Sequence, residues 1–158
     1  MCIEKYYYAS DMLPHDVPQR LLLAAVLGAA IGLEREYRGK PAGLRTNILI
    51  ALASALFTVL SIAIGGGGAT PDRIAAQIVT GIGFLGGGAI LRSGNTIHGL
   101  TTAATIFVNA AIGMAAGAGE FATATVATGL TLIVLAVLVP IESYFDRRAG
   151  VPKRDTRE

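Results

Sequence analysis

Two long stretches of the chain are almost free of charge. Residues 48–70 contain no Asp, Glu, Lys or Arg, and Arg92 is the only such residue between Ile74 and Glu120. Apolar runs of about 20 residues match the hydrocarbon thickness of a bilayer. The chain has 158 residues, of which 53% are hydrophobic and 20 are glycine, a composition too apolar for a soluble domain of this length. The pattern predicts an integral membrane protein.

The apolar runs predict helices. Backbone polar groups must be satisfied inside lipid, and the runs lack the alternation of barrel strands, so we predict an all-α bundle of about five transmembrane helices. The spacing from Asp16 to Gln19 fits a capping box and sets the start of the first helix. The predicted helices span residues 16–37, 44–65, 72–91, 100–117 and 121–145. They divide the chain into an interfacial or disordered segment (1–15), a transmembrane domain (16–145) and a basic cytoplasmic tail (146–158).

The basic residues predict an orientation. With five crossings, ten of the 13 Lys and Arg residues fall on one side and three on the other. By the positive-inside rule, the first loop, the third loop and the C-terminus face the cytoplasm, and the N-terminus faces outside. Four crossings, with a re-entrant third segment, would put the later basic residues opposite the first loop, so the charge balance favours five.

Small residues recur at helical spacing. In lipid, helices associate through close backbone approach at such residues. We therefore expect tight contacts among the first, third and fourth helices; the alternative is that glycine is simply common in membrane helices. The predicted packing pairs are Gly28 and Gly32, Gly83 and Gly87, and Gly113 and Gly117.

A few polar residues fall inside the predicted crossings. Asn109 lies about midway along the fourth helix, where an amide needs a partner, so it either bonds a neighbouring helix or binds a ligand. The intramembrane polar candidates are Gln77, Thr80, Thr105 and Asn109.

A second polar group gathers at the predicted cytoplasmic edge, where the first helix ends and the second begins. Arg45 stands near a helix N-terminus, which disfavours a cation, so we expect it to lean toward Glu34, Glu36 or an anionic ligand, unless it is an ordinary snorkelling anchor. Residues of the third loop and of the start of the fourth helix share this side, which predicts a polar vestibule. Its candidate binding residues are Glu34, Arg35, Arg45, Thr46, Asn47, Arg92, Thr101 and Thr102.

Several classes of function lack support. The net charge of +2 is small and the cations adjoin apolar segments, so anionic lipid headgroups are a more natural partner than nucleic acid. We find no nucleophile with a base, no His or Cys cluster, and no carboxylate deep in a crossing to hold a divalent cation. Cys2 is the single cysteine. We expect no enzyme activity, no cofactor and no metal site.

Four sequence blocks occur in order within about residues 22–135. They are GLERE (32–36), AGLRTN (42–47), RIAAQIVTGIGFLG (73–86) and GLTTAAT (99–105). Together they resemble the MgtC/SapB family of bacterial inner-membrane proteins. Longer members of the family carry a soluble ACT-like C-terminal domain. We expect this chain to resemble the short SapB-like members, which lack that domain. His98 and Phe107 replace the Arg and Trp that the family often has, so the vestibule is less basic than usual.

The resemblance implies a five-helix inner-membrane domain linked to survival at low magnesium and, in pathogens, to virulence. It also implies action by contact with a membrane partner, such as the membrane sector of ATP synthase, which one virulence member is described as binding. We therefore expect a non-enzymatic protein of magnesium or ion homeostasis that contacts such a partner or forms a homo-oligomer in the bilayer. The alternative is a small cation (magnesium) transporter or channel.

Overall fold

Five helices and one short β-hairpin make up the described part of the computed structural model, which covers residues 16–65, 72–94 and 96–148. The prediction of an all-α membrane protein is confirmed. The predicted segment 1–15 and the tail from residue 149 lie outside the described residues. The elements are α1 (Asp16–Tyr37), α2 (Leu44–Gly65), α3 (Asp72–Gly88), β1 (Leu91–Ser93), β2 (Thr96–His98), α4 (Leu100–Ala118) and α5 (Phe121–Arg148).

Two helices end in the same glycine cap. After α1, Gly39 has φ 62° and donates its N–H to the carbonyl of Glu36, while Lys40 donates to that of Arg35. Gly119 closes α4 with φ 88° and the equivalent pair of bonds. This is the Schellman arrangement, which needs the left-handed conformation that glycine adopts without strain. The caps turn the chain sharply and keep consecutive helices antiparallel.

α1 and α4 both approach α2 through glycines. A Cβ added to Gly28 would lie 2.7 Å from the backbone oxygen of Asn47, and one added to Gly117 would lie 2.5 Å from that of Ala55. Gly32 and Gly113 stand equally close to the α2 backbone. Two of the three predicted glycine pairs therefore lie at helix contacts, but their shared partner is the second helix.

The third pair does not pack within the chain. A Cβ on Gly83 or Gly87 would have no atom within 4 Å, so the prediction that these glycines pack against the first and fourth helices is wrong here. α3 lies at the edge of the bundle and buries Ile78, Ile82 and Gly86 against its neighbours. Gly83 and Gly87 each follow a buried residue by one position, about 100° further round the helix, and so face outward.

α3 is also shorter than predicted. It ends at Gly88 rather than Leu91, and the chain continues into an antiparallel hairpin in which Ser93 pairs with Thr96. By length and composition, α1, α2, α4 and α5 could each cross a membrane, whereas the apolar part of α3, Ala75–Gly88, is shorter. At 17 residues α3 is about 25 Å long, against about 30 Å of hydrocarbon.

Two apolar clusters hold the bundle together. One joins α1, α2, α4 and α5, and the other joins α2, α3 and α4 around Ile50, Ile82 and Ile106. Many large apolar side chains remain on the outside, as suits a surface in contact with lipid. Among the most exposed are Leu22, Leu49, Ile64, Phe84, Val126 and Leu130.

Candidate functional site

A buried arginine ties three elements together at the end of the bundle where α1 ends. Arg35 is only 4% exposed. Its Nη2 donates to Thr102 Oγ1 at 2.8 Å and to the carbonyl of Pro41 at 3.4 Å. The end of α1, the first loop and the start of α4 therefore meet at one guanidinium, as the predicted vestibule requires for Arg35 and Thr102.

The two carboxylates of this end already have other partners. Arg38 Nε lies 2.5 Å from Glu34 Oε1, one turn away on α1, and Arg38 Nη2 donates to the carbonyl of Ala136 on α5 at 3.3 Å. Glu36 Oε2 accepts the N–H of Leu44 at 2.8 Å and so satisfies the first turn of α2.

Arg45 does not lean toward either carboxylate. Its side chain is exposed, and within the described ranges no hydrogen bond or ion pair joins it to Glu34 or Glu36. The reason is that Arg38 and the α2 backbone already hold those groups. Thr46 beside it is also exposed.

Two asparagines form the most deeply buried polar contact. Asn47 and Asn109 are both 0% exposed. Asn109 Nδ2 donates to the backbone oxygen of Asn47 at 2.7 Å and to Asn47 Oδ1 at 3.1 Å. The Asn47 amide donates in turn to the carbonyls of Ala42 and Gly43. Asn47 is therefore buried between helices and is not part of an open vestibule, and the partner that Asn109 requires is a neighbouring helix.

The amide network supports an unusual loop conformation. Ala42 is the one non-glycine residue with positive φ in the described ranges, at 55°. Such a conformation costs about 1–3 kcal/mol and persists where neighbours enforce it. Asn47 supplies the bond that holds this loop in place.

The remaining intramembrane candidates do not join one site. Thr105 Oγ1 donates to the carbonyl of Thr101 at 2.8 Å, and Thr80 Oγ1 donates to that of Ala76 at 3.1 Å. Both bonds stay within their own helix, as threonine hydroxyls in helices commonly do. Gln77 is exposed and lines a groove.

That groove lies between α2, α3 and α4 and encloses about 1100 Å³. Its walls are mainly apolar, with polar contributions from Thr46, Ser54, Gln77 and Thr102. Pro41, Leu91 and Thr102 mark the end near the buried arginine, whereas Phe57 and Gln77 mark the other end. We call it the lateral groove.

Among the described residues, those of the hairpin take no part in the hydrogen bonds of Arg35. Arg92 is exposed, and its Nε donates to the carbonyl of Gly94 at 3.1 Å. Thr101 is exposed as well. In the part of the chain that the structure describes, no three His, Cys, Asp or Glu side chains stand close enough to hold a metal ion.

One polar contact was not anticipated from the sequence. Arg20, in the second turn of α1, donates from Nη1 to the carbonyl of Gly117 at 2.9 Å, at the opposite end of the bundle. A cation at the last carbonyls of α4 is favoured by the helix dipole. The signal was an arginine at the edge of an apolar run, which by itself indicates only an interfacial anchor.

Comparisons with known proteins give a consistent assignment. A profile of the MgtC family matches residues 21–144. A protein of Escherichia coli K12 named "Putative magnesium transporter YhiD" is 50% identical over 125 residues, 75% of this chain and 58% of that protein. Protein MgtC of Salmonella typhimurium is 50% identical over 112 residues, 71% of this chain and 48% of that protein.

A third relative has no function in its name: the uncharacterized protein slr0014 of Synechocystis is 43% identical over 129 residues, 82% of this chain and 55% of that protein. The chain thus spans about half the length of the curated relatives it matches. No solved structure matches it.

Proposed function

The chain belongs to the MgtC family, and from this premise we propose that it is a non-enzymatic protein of the bacterial inner membrane that serves magnesium or ion homeostasis by contacting a partner membrane protein. The resemblance to virulence members makes the membrane sector of ATP synthase one candidate partner, and a second copy of the chain is another. The proposed orientation has the N-terminus outside and the C-terminus in the cytoplasm.

The outward face of α3 is the observation that carries this proposal. Ala76, Thr80, Gly83 and Gly87 recur at intervals of four, three and four residues, are all exposed, and form a stripe of small residues. The glycines of α1 and α4 are covered by α2, whereas a Cβ on Gly83 or Gly87 would meet nothing. Because small residues drive helix association in lipid, an uncovered stripe of this kind suits a partner helix.

Capture from native membranes tests the proposal. The single cysteine allows a Cys2→Ser background in which Thr80→Cys carries a cross-linker on the stripe. We expect one specific membrane complex to be recovered, and Gly83→Leu or Gly87→Leu to abolish its recovery by blocking close approach. Gly129→Leu is the matched control, since Gly129 on α5 also has no atom within 4 Å of a built Cβ. Equal recovery of the complex from all variants would contradict the proposal. If only copies of this chain are recovered, the proposed contact would be self-association and not contact with a different protein.

Magnesium transport is the second candidate, favoured by the printed name of the Escherichia coli relative. The lateral groove offers side-chain oxygens from Thr46, Ser54 and Gln77, although magnesium usually binds through carboxylates and retained waters. Purified protein in sealed liposomes would carry magnesium, and Ser54→Ala or Gln77→Leu, which remove oxygens from the groove, would reduce the flux. If the reconstituted protein is folded but no magnesium flux is measured, transport is ruled out.

A further inference from the structure

We infer that the lateral groove binds an anionic phospholipid, with an acyl chain between α2 and α3 and the phosphate at the end where α2 and α4 begin. This inference is separate from the proposed partner contact, because it rests on the groove and not on the outward stripe of α3.

The depth of the groove matches one leaflet. It extends along α2 from Thr46 to Phe57, eleven helical steps or about 17 Å, which is about half of the roughly 30 Å hydrocarbon core. Thr46 and Thr102 contribute polar groups at one end, Ser54 and Gln77 contribute polar groups further along, and apolar side chains line most of the groove. An acyl chain that enters the groove at the headgroup level would therefore extend to about the middle of the bilayer.

The rim favours an acyl chain over a helix. Leu49, Phe57, Phe84 and Leu85 line the groove, and all four are exposed. A partner helix approaches closely where the surface is small, as on the outward stripe of α3, and bulky rim side chains would hold its backbone away. A flexible hydrocarbon chain can fit between such side chains.

A buried cation lies behind the polar end of the groove. Arg35 bonds Thr102 and Pro41, and both of these residues line the groove. The Arg35 Nε is buried and has no hydrogen-bond partner among the described residues. Glu34 is a nearby opposite charge, but its carboxylate is paired with Arg38. Arginine bonds phosphate well, so an anionic headgroup at this end would further compensate the desolvated guanidinium.

The surrounding charge also suits an anion. Lys40, Arg45 and Arg92 each adjoin a lining residue in the sequence. Residues 34–45 together with Arg92 carry five cations and two carboxylates, and one of the five cations, Arg38, is paired with Glu34. Basic pockets between transmembrane helices are known binding places for anionic headgroups.

Fluorescence quenching by brominated lipid tests this site in the full chain. The protein has no tryptophan, so Phe57→Trp places a single reporter in the groove. Phe107→Trp on α4 is the matched control outside it, because Phe57 is 51% and Phe107 47% exposed. Each variant is reconstituted in phosphatidylcholine with a minor fraction of phosphatidylglycerol, and the bromine is placed on the acyl chains of one lipid or the other.

We expect brominated phosphatidylglycerol to quench Phe57→Trp more strongly than the same fraction of brominated phosphatidylcholine, with no such preference at Phe107→Trp. Adding Arg45→Gln or Arg92→Gln should lower the preference about fivefold per arginine. Gly81→Leu should abolish the preference for phosphatidylglycerol. Gly81 lines the groove and a Cβ there meets no atom within 4 Å, so the leucine side chain would occupy the space of the acyl chain. Gly83→Leu, two residues away on the outward stripe, should leave it unchanged.

Equal quenching of Phe57→Trp by both lipids, or an equal preference at Phe107→Trp, would overturn the lipid site. So would a Phe57→Trp reporter shielded from both lipids, since that result would mean that protein fills the groove. Circular dichroism confirms that each variant is folded. Because Gly83→Leu tests the partner contact and Gly81→Leu tests the lipid site, the two proposals can fail independently.

Discussion

Replacing glycine by alanine should have opposite effects on the two kinds of glycine in this bundle. In Gly113→Ala the new Cβ would lie 2.9 Å from the Cα of Ala51 and closer still to its carbonyl oxygen. These are backbone atoms, so no side-chain rotation can relieve the contact, and α2 and α4 must separate. In Gly83→Ala the new methyl group meets nothing within 4 Å.

The magnitudes follow from two terms. Alanine is favoured over glycine in a helix by about 1 kcal/mol at either position. Overpacking at Gly113 costs about 1–3 kcal/mol. Gly83→Ala should therefore raise the free energy of unfolding slightly, and Gly113→Ala should leave it near the original value or lower it by up to about 2 kcal/mol. The propensity term cancels between the two variants, so they should differ by about 1–3 kcal/mol.

Reversible unfolding of the purified chain in mixed detergent and dodecyl sulfate micelles, followed by circular dichroism, measures this difference. Gly129→Ala on α5 provides a control that should behave like Gly83→Ala, because its Cβ position is also open. A loss of stability in Gly83→Ala as large as that in Gly113→Ala would refute the reasoning.

Three further substitutions test the polar contacts and the hairpin junction by the same unfolding assay. Asn109→Leu removes two interhelical bonds, which average about 0.6 kcal/mol each in membrane proteins, so it should cost about 1 kcal/mol. A double-mutant cycle with Asn47→Leu should show coupling, and strict additivity would count against the pair. Thr102→Val leaves Arg35 without its shortest hydrogen bond and should cost about 1.5–3 kcal/mol, whereas Thr102→Ser should retain most of the stability. Gly99→Ala forces a side chain into φ 85° and should cost about 1–3 kcal/mol; unchanged stability would show that this turn relaxes freely.

Much of the helical architecture could be predicted because its signals are local. The predicted first two helices have the same bounds as α1 and α2, and the start of α4 at Leu100 also agrees. Charged residues and glycines interrupt the apolar runs there, and both act through the nearest few residues. The hairpin was missed although the Gly-Asn sequence is a known hairpin signal, because its strands have only three residues each and the first begins at Leu91, directly after the apolar run of α3.

The candidate site was less predictable, since its polar groups are paired across long sequence distances. Arg35 and Thr102 were placed at the same end correctly from the alternation of helices. The burial of Asn47 was not foreseen, because it depends on an amide 62 positions further along the chain. Arg45 was expected to lean toward Glu34, Glu36 or an anionic ligand, or to be a snorkelling anchor. The i,i+4 spacing of Glu34 and Arg38 is a local signal for one competing pair, whereas the bond between Glu36 and the α2 backbone depends on the loop conformation.

The sequence by itself determined a membrane bundle of helices, their approximate ends and the places where small residues make close approach possible. The tertiary structure decided which of those places are used. Gly28, Gly83 and Gly113 each begin a glycine pair with the same spacing, yet α2 covers two of these pairs and leaves the third open. Spacing along a helix defines a face, but whether a face is covered depends on where the other helices lie, and that is fixed by the packing of the whole bundle.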